Sequence, residues 1–146
     1  MIDIQGKSAT DREAVARGSV RMSRPAIEAL SSGKLPKGDA LAAARLAGVL
    51  AAKRTPDLIP LCHPIPLSYV GIEFDVAVDR GEIGIEATAR AHAPTGVEME
   101  ALTAVAVAAL TIHDMCKMID PAAEIARIHV VRKSGGKSGT WERPES

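Results

Sequence analysis

Aromatic side chains are nearly missing from this 146-residue sequence: Tyr69, Phe74 and Trp141 are the three, about 2%. With so few rings there is no stacking platform for single-stranded nucleic acid. The core must be built from Ala, Val, Ile and Leu, whose small size favours close backbone approach. Net charge is missing too. Lys plus Arg and Asp plus Glu number 18 each, and the pI is about 6.9. No global field attracts DNA or an anionic lipid surface, so neither nucleic acid nor membrane is expected as a partner. Two cysteines, Cys62 and Cys116, form at most one bridge. That excludes a disulfide framework and makes a reducing cytoplasm the expected location. The opening MIDIQGKSATDRE lacks the apolar core of a signal peptide. The longest apolar run, 101–112, is shorter than the roughly 20 residues that span a bilayer.

What is present suits one domain, residues 1–146, around one core: 47% of the residues are hydrophobic. Residues 13–22 read as a strand. Ser23 then caps a helix with Pro25 in its first turn, ending at Gly33. Asp39 caps a second helix over about 40–54, stopped by Thr55-Pro56. The four prolines of 55–66 predict a stiff ordered loop. Val70, Ile72, Phe74, Val76 and Val78 alternate as a half-buried strand, and Ile83, Ile85, Ala87 and Ala89 return after a turn at 79–82. Thr95-x-x-Glu98 fits a capping box for a third helix over about 97–119, closed by Pro121. Residues 124–133 are the last strand, and 133–146 read as a mobile glycine-lysine tail. The order predicts an α+β, ferredoxin-like fold, β-α-β-β-α-β with an extra helix, its antiparallel sheet covered by helices. The third helix is apolar all round from Ala101 to Ile112. A helix of that kind wants cover on every side, which points to a subunit interface; an Ala-rich outer face tolerating exposure is the plainer alternative.

That helix ends in His113, Asp114, Cys116 and Lys117. Asp114 and Lys117 lie one turn apart, in line with Val107 and Leu110, which read as core. A pair at the end of a buried stripe has both pKa values perturbed by desolvation, and suits general acid-base work. The competing reading is an i, i+3 salt bridge favoured by the helix C-terminus. His63, between Pro60 and the Pro64-x-Pro66 pair, sits on a pre-set backbone and is either an orienting or proton-transfer group or a structural histidine. Cys62, His63, His113 and Cys116 lack paired-ligand spacing, so no metal is expected. KSGGKSG, 133–139, fails as a Walker A motif, since Val131 stands where a glycine is required. Its amides with Lys133 and Lys137 still suit a phosphate.

Taken together, KGD at 37–39, ARLAG at 44–48, AAKRTPDLIPLCHP at 51–64, TGVEMEALTAVAVAALTIHDMCK at 95–117 and KSGGKSG resemble the cyclic pyranopterin monophosphate synthases of molybdenum cofactor biosynthesis. The resemblance runs from residue 1 to Gly139. It implies a lyase that converts a cyclised GTP derivative, (8S)-3',8-cyclo-7,8-dihydroguanosine 5'-triphosphate, into cyclic pyranopterin monophosphate and diphosphate, without metal or organic cofactor. It assigns catalysis to Asp114 and Lys117 against the salt-bridge reading. It places substrate contacts at Leu61, Cys62, His63, Glu98, Met99, Glu100 and Lys37, and phosphate contacts at Arg12, Lys53 and Lys133, with Lys137 as a further candidate. It implies a homohexamer, a trimer of dimers; a non-catalytic phosphate- or nucleotide-sensing oligomer using the same basic groups is the competing reading. His113 stands where such sequences commonly carry an aromatic such as Tyr, and many relatives carry a short extension ahead of the segment that begins here. Geometry adds one expectation. Glu100 and Asp114 are 14 residues apart, about 21 Å along a helix, so they meet around one small ligand only if the helix pairs antiparallel with a second copy.

Overall fold

The structure is a computed structural model that describes residues 1–145. The chain runs β1 (Thr10–Arg21), α1 (Arg24–Ser31), α2 (Ala40–Lys53), α3 (Thr55–Leu58), β2 (Tyr69–Ala77), a 3-10 turn (Val78–Arg80), β3 (Glu82–Ala93), α4 (Glu98–Cys116), β4 (Glu124–Ser134) and β5 (Trp141–Glu142). All pairings are antiparallel and the spatial order is β2-β3-β1-β4-β5. The first four strands reproduce the ferredoxin-like order predicted from sequence.

Period-two alternation separates the two faces of the sheet. Ala14, Ala16 and Val20 of β1 and Ile83, Ile85, Ala87, Ala89, Ala91 and Ala93 of β3 point under the helices and are buried. The opposite face carries charge: Arg90 and Arg132 both reach Glu13, at 2.6 and 2.8 Å, and Arg21 and Arg127 both reach Glu82, at 3.2 and 2.8 Å. α2 and α4 lie antiparallel across the apolar face, and alanine lets them approach closely. A Cβ on Gly48 of α2 would stand 2.9 Å from the Ala104 carbonyl oxygen of α4. Gly18 of β1 lies under α4 for the same reason, since a Cβ there would meet Val105 at 2.7 Å.

Several elements depart from the sequence reading. β1 begins at Thr10 because β3 runs to Ala93 and supplies a partner, Thr10 opposite Ala93. Thr55-Pro56 ends α2 but also starts α3. Proline fits a first helical turn, where its missing N–H has no partner to lose. The Thr55 hydroxyl donates to the Ala52 carbonyl at 2.9 Å and closes the end of α2. The capping box at the start of α4 does not form: the N-cap is Val97, with no side-chain bond, and Glu98 turns toward Lys133 instead. α4 stops at Cys116, where Ile119 N–H and Asp120 N–H both bond the Cys116 carbonyl. After β4 the chain turns through Gly135, Gly136 and Gly139, all at positive φ, and β5 comes back against β4. By length and hydropathy α4 would pass for a membrane span, with 19 residues and a mean of 1.3, but its buried side is packed on the sheet and α2.

Candidate active site

The fold gathers the candidate residues at the two ends of α4. At the C-terminal end the 34–39 loop brings Lys37 to Asp114. Lys37 Nζ lies 2.6 Å from Asp114 Oδ2, and Lys117 Nζ lies 2.7 Å from Asp114 Oδ1. Each carboxylate oxygen thus faces one ammonium. Hydrogen bonds from Lys117 and then Lys37 pull the Asp114 carboxyl down to about 2. The expected buried stripe is not there. Asp114 and Lys117 are each about half exposed and Leu110 is 58% exposed. The buried side of α4 is Ala101, Ala104, Val105, Ala108 and Ile112, so the perturbation of Asp114 comes from its lysines and not from desolvation.

The N-terminal end is enclosed. Glu100 is 2% exposed, and its Oε2 has no partner within the described residues. Its Oε1 lies 3.9 Å from the Cys62 thiol. Burial pushes Glu100 above the usual carboxylate range, with the Glu98 charge adding to it, against smaller opposing pulls from its own backbone N–H and Cys62. Burial also raises the Cys62 thiol, and the Glu100 charge adds to that. A cavity of about 330 Å³ opens beside them, lined by Leu61, Cys62, His63, Glu98 and Met99. Lys133 Nζ stands 3.8 Å from Glu98 Oε1. Arg12 donates from Nε to the Ala93 carbonyl and from Nη2 to the Pro94 carbonyl, both at 3.3 Å. Gly136 lies against the Arg12 guanidinium, where a Cβ would stand 2.1 Å from Nη1. The glycine turn of KSGGKSG therefore folds over this end, with Lys137 exposed in it. Lys53 closes α2 at the same end of the layer, exposed to solvent. His113 belongs to the other end, half-buried in the last turn of α4.

Two clusters of cationic and acidic groups thus stand at opposite ends of one helix. The family model of the MoaC family matches residues 1–136. The chain belongs to the MoaC family. Similar members of that family include the cyclic pyranopterin monophosphate synthase of Roseiflexus sp. (strain RS-1), 58% identical over 97% of this chain and 89% of the relative. The enzyme of the same name from Chloroflexus aurantiacus is 53% identical over 99% of this chain and 88% of the relative. Cyclic pyranopterin monophosphate synthase 2 of Mycobacterium bovis is 55% identical over 98% and 84%.

One family-site neighbour escaped the sequence reading. Lys7 lines the same cavity as His63 and Glu98, together with Ile2 and Ile4. Its signal in the sequence was faint: a lysine five residues ahead of Arg12, in a segment without periodicity.

Proposed function

We propose that the protein is a cyclic pyranopterin monophosphate synthase, a lyase of molybdenum cofactor biosynthesis. Its substrate is (8S)-3',8-cyclo-7,8-dihydroguanosine 5'-triphosphate, and its products are cyclic pyranopterin monophosphate and diphosphate. The observation that carries the site assignment is Asp114 held between Lys37 and Lys117. A carboxylate with so low a pKa stays ionised at neutral pH and donates no proton. In this reading it orients both ammonium groups, Lys117 is the proton-transfer group, and Lys37 supports it. In the phosphorus step a sugar hydroxyl oxygen attacks the α-phosphorus, its proton passes to a base, and the bond to the departing diphosphate breaks. Arg12, Lys53 and Lys133 offset the charge that develops on that diphosphate. Leu61, Cys62, His63, Glu98, Met99 and Glu100 form the pocket for the ring system, and the KSGGKSG segment closes over the phosphates. No metal or organic cofactor enters this scheme.

The active unit in this reading is a dimer with shared sites, built into a homohexamer of three dimers. About 21 Å of helix separates Glu100 from Asp114, so the two ends of one α4 do not embrace one ligand. At 100° per residue, fourteen residues return to within about 40° of the same direction, so both ends face one side. Leu46 and Leu50 of α2 and Leu110 of α4 are 62%, 48% and 58% exposed, large apolar groups of the kind an antiparallel partner covers. Both cysteines are free, which suits a reducing cytoplasm. Turnover is the primary test: the purified protein should release diphosphate from the cyclised triphosphate. Sharing is tested by mixing inactive Asp114→Asn and Arg12→Gln variants. Random exchange restores one intact site in each mixed dimer, about a quarter of all sites. No recovery after verified exchange rejects the shared site.

A further inference from the structure

Without β5, β4 would be a bare edge of the sheet. The hold between them is slight: two register pairs, Lys133 with Trp141 and Arg132 with Glu142. The register of β1 against β4 shifts between Val15 and Ala16, and Val131 has no partner in β1. A bulge of this kind leaves one residue unpaired. Arg143 takes it up. Its backbone N–H donates to the Val131 carbonyl at 2.8 Å, and its side-chain Nε donates to the Val130 carbonyl at 2.7 Å. The guanidinium also lies over the Trp141 ring, 5.7 Å from its centre. Pro144 follows and has no N–H with which to extend the ladder.

The bonds made by Arg143 hold more than their own strand. Between β4 and β5 lies the glycine turn of residues 135–139. Gly135, at φ 102°, leaves no room for a Cβ between itself and the Asp11 carbonyl, and Gly136 packs on the Arg12 guanidinium. A turn pressed so closely on β1 keeps that seat at low entropic cost only while both its ends are fixed. β4 fixes one end through β1, and β5 fixes the other. Lys133, the register partner of Trp141, is also the residue that reaches Glu98. The other polar link of β5, between Arg132 and Glu142, is 3.7 Å long and joins side chains 44% and 73% exposed, so it contributes little. The charge-assisted bond from Arg143 Nε is the strong one.

We propose that Arg143 is a positioning residue for the synthase reaction, clamping β5 onto β4 so that the glycine turn stays seated on Arg12 beside Lys133. This rests on the synthase reading above. Arg143 touches no reacting atom in this role. It keeps the turn, with Lys137 in it, ordered before the phosphates arrive, so that binding need not supply that order. Its loss should therefore weaken binding of substrate and diphosphate and leave the chemical step alone.

The test compares full-length wild type, Arg143→Ala and Arg143→Lys by hydrogen exchange and by kinetics, with inorganic diphosphate as competitive inhibitor. Loss of one charge-assisted hydrogen bond is worth about tenfold in an equilibrium. In Arg143→Ala the amides of residues 135–143 should exchange about tenfold faster, with those of α4 unchanged. KM and the diphosphate inhibition constant should rise by about three- to tenfold, with kcat within about twofold. Arg143→Lys keeps a cation near Trp141 and a donor for Val130, and should recover part of both losses. Unchanged exchange in Arg143→Ala overturns the clamp. Faster exchange with unchanged KM and diphosphate inhibition overturns the positioning role. A fall in kcat matched by a lowered urea midpoint also overturns it, because general destabilisation would produce both. A wild-type protein without turnover overturns the synthase reading and the positioning role with it, while the exchange comparison still decides whether Arg143 holds β5.

Discussion

The two ends of α4 treat the same chemical group in opposite ways. Glu100 at one end is buried beside Cys62, has one oxygen without a partner among the described residues, and is pushed toward its neutral form. Asp114 at the other end stands half in water, bonded to a lysine on each oxygen, and is pinned as an anion. Burial decides the first and hydrogen-bonded countercharge decides the second. Two carboxyl groups on one face of one helix are thereby shifted in opposite directions, Glu100 toward the acid and Asp114 toward the anion. In the shared site proposed above, a ligand that meets both ends finds a carboxyl shifted toward its acid form on one side and an ion-paired lysine on the other.

Removing the charged end should have the largest effect. Lys117→Ala is expected to lower kcat by about 10²- to 10⁴-fold, the usual worth of a positioned acid or base. Asp114→Asn should cost a comparable factor, because both ammonium groups lose the anion that orients them. Circular dichroism and hydrodynamic size should stay at wild-type values, since the triad is exposed. Diphosphate release measured in a coupled assay decides the matter, and full activity in either variant dissolves the assigned roles. A smaller expected effect comes from the contact that ties the two ends into one body. Gly48→Val sets a side chain against the Ala104 carbonyl and Ile72. Overpacking of this kind costs about 1–3 kcal/mol, read as a lowered midpoint in urea. If stability is unchanged, the close approach of α2 to α4 is not what holds Lys37 beside Asp114.

Much of this was legible from residue pattern, and the failures have physical causes. The alternation in β2 and β3 and the Asp39 cap, which accepts from Ala42 N–H at 3.0 Å, were local signals that tertiary contacts reinforced. The capping box failed because α4 starts at Glu98 with Val97 as its N-cap, which leaves Thr95 outside the helix and Glu98 facing the Lys133 ammonium from a strand 35 residues downstream. β5 was hidden because two residues carry no periodicity, and their partner, β4, is distant in pattern if not in number. The triad was half visible: the spacing of Asp114 and Lys117 predicts their contact, whereas Lys37 joins only because α2 runs antiparallel to α4. The misjudged side of α4 follows from composition. Leu110 and Ala108 look equally suited to a core, and only the sheet beneath chooses between them. Glu100 was marked by resemblance, but nothing in its spacing announced a buried carboxyl without a partner.

The enclosed end offers the smallest effect and the cleanest sign. Because the folded Glu100 carboxyl titrates above its ordinary value of 4.5, the folded state holds the proton more tightly than the unfolded chain. Its contribution is therefore complete below pH 4.5 and is lost as pH rises through the raised folded value. Glu100→Gln keeps the shape and removes the titration. The midpoint of the variant, measured at fixed protein concentration because the proposed assembly would shift it, should match or trail wild type near pH 4 and gain on it as pH rises toward the raised folded value. Asp114→Asn should show the opposite trend, since the lowered carboxyl adds stability above 3.8 that is lost as pH falls toward about 2. That trend will be faint, because water screens an exposed pair. Parallel curves for wild type and Glu100→Gln across that range would mean that Glu100 finds a charged partner in the proposed assembly. The contrast between the two ends of the helix would then be a property of the isolated chain alone.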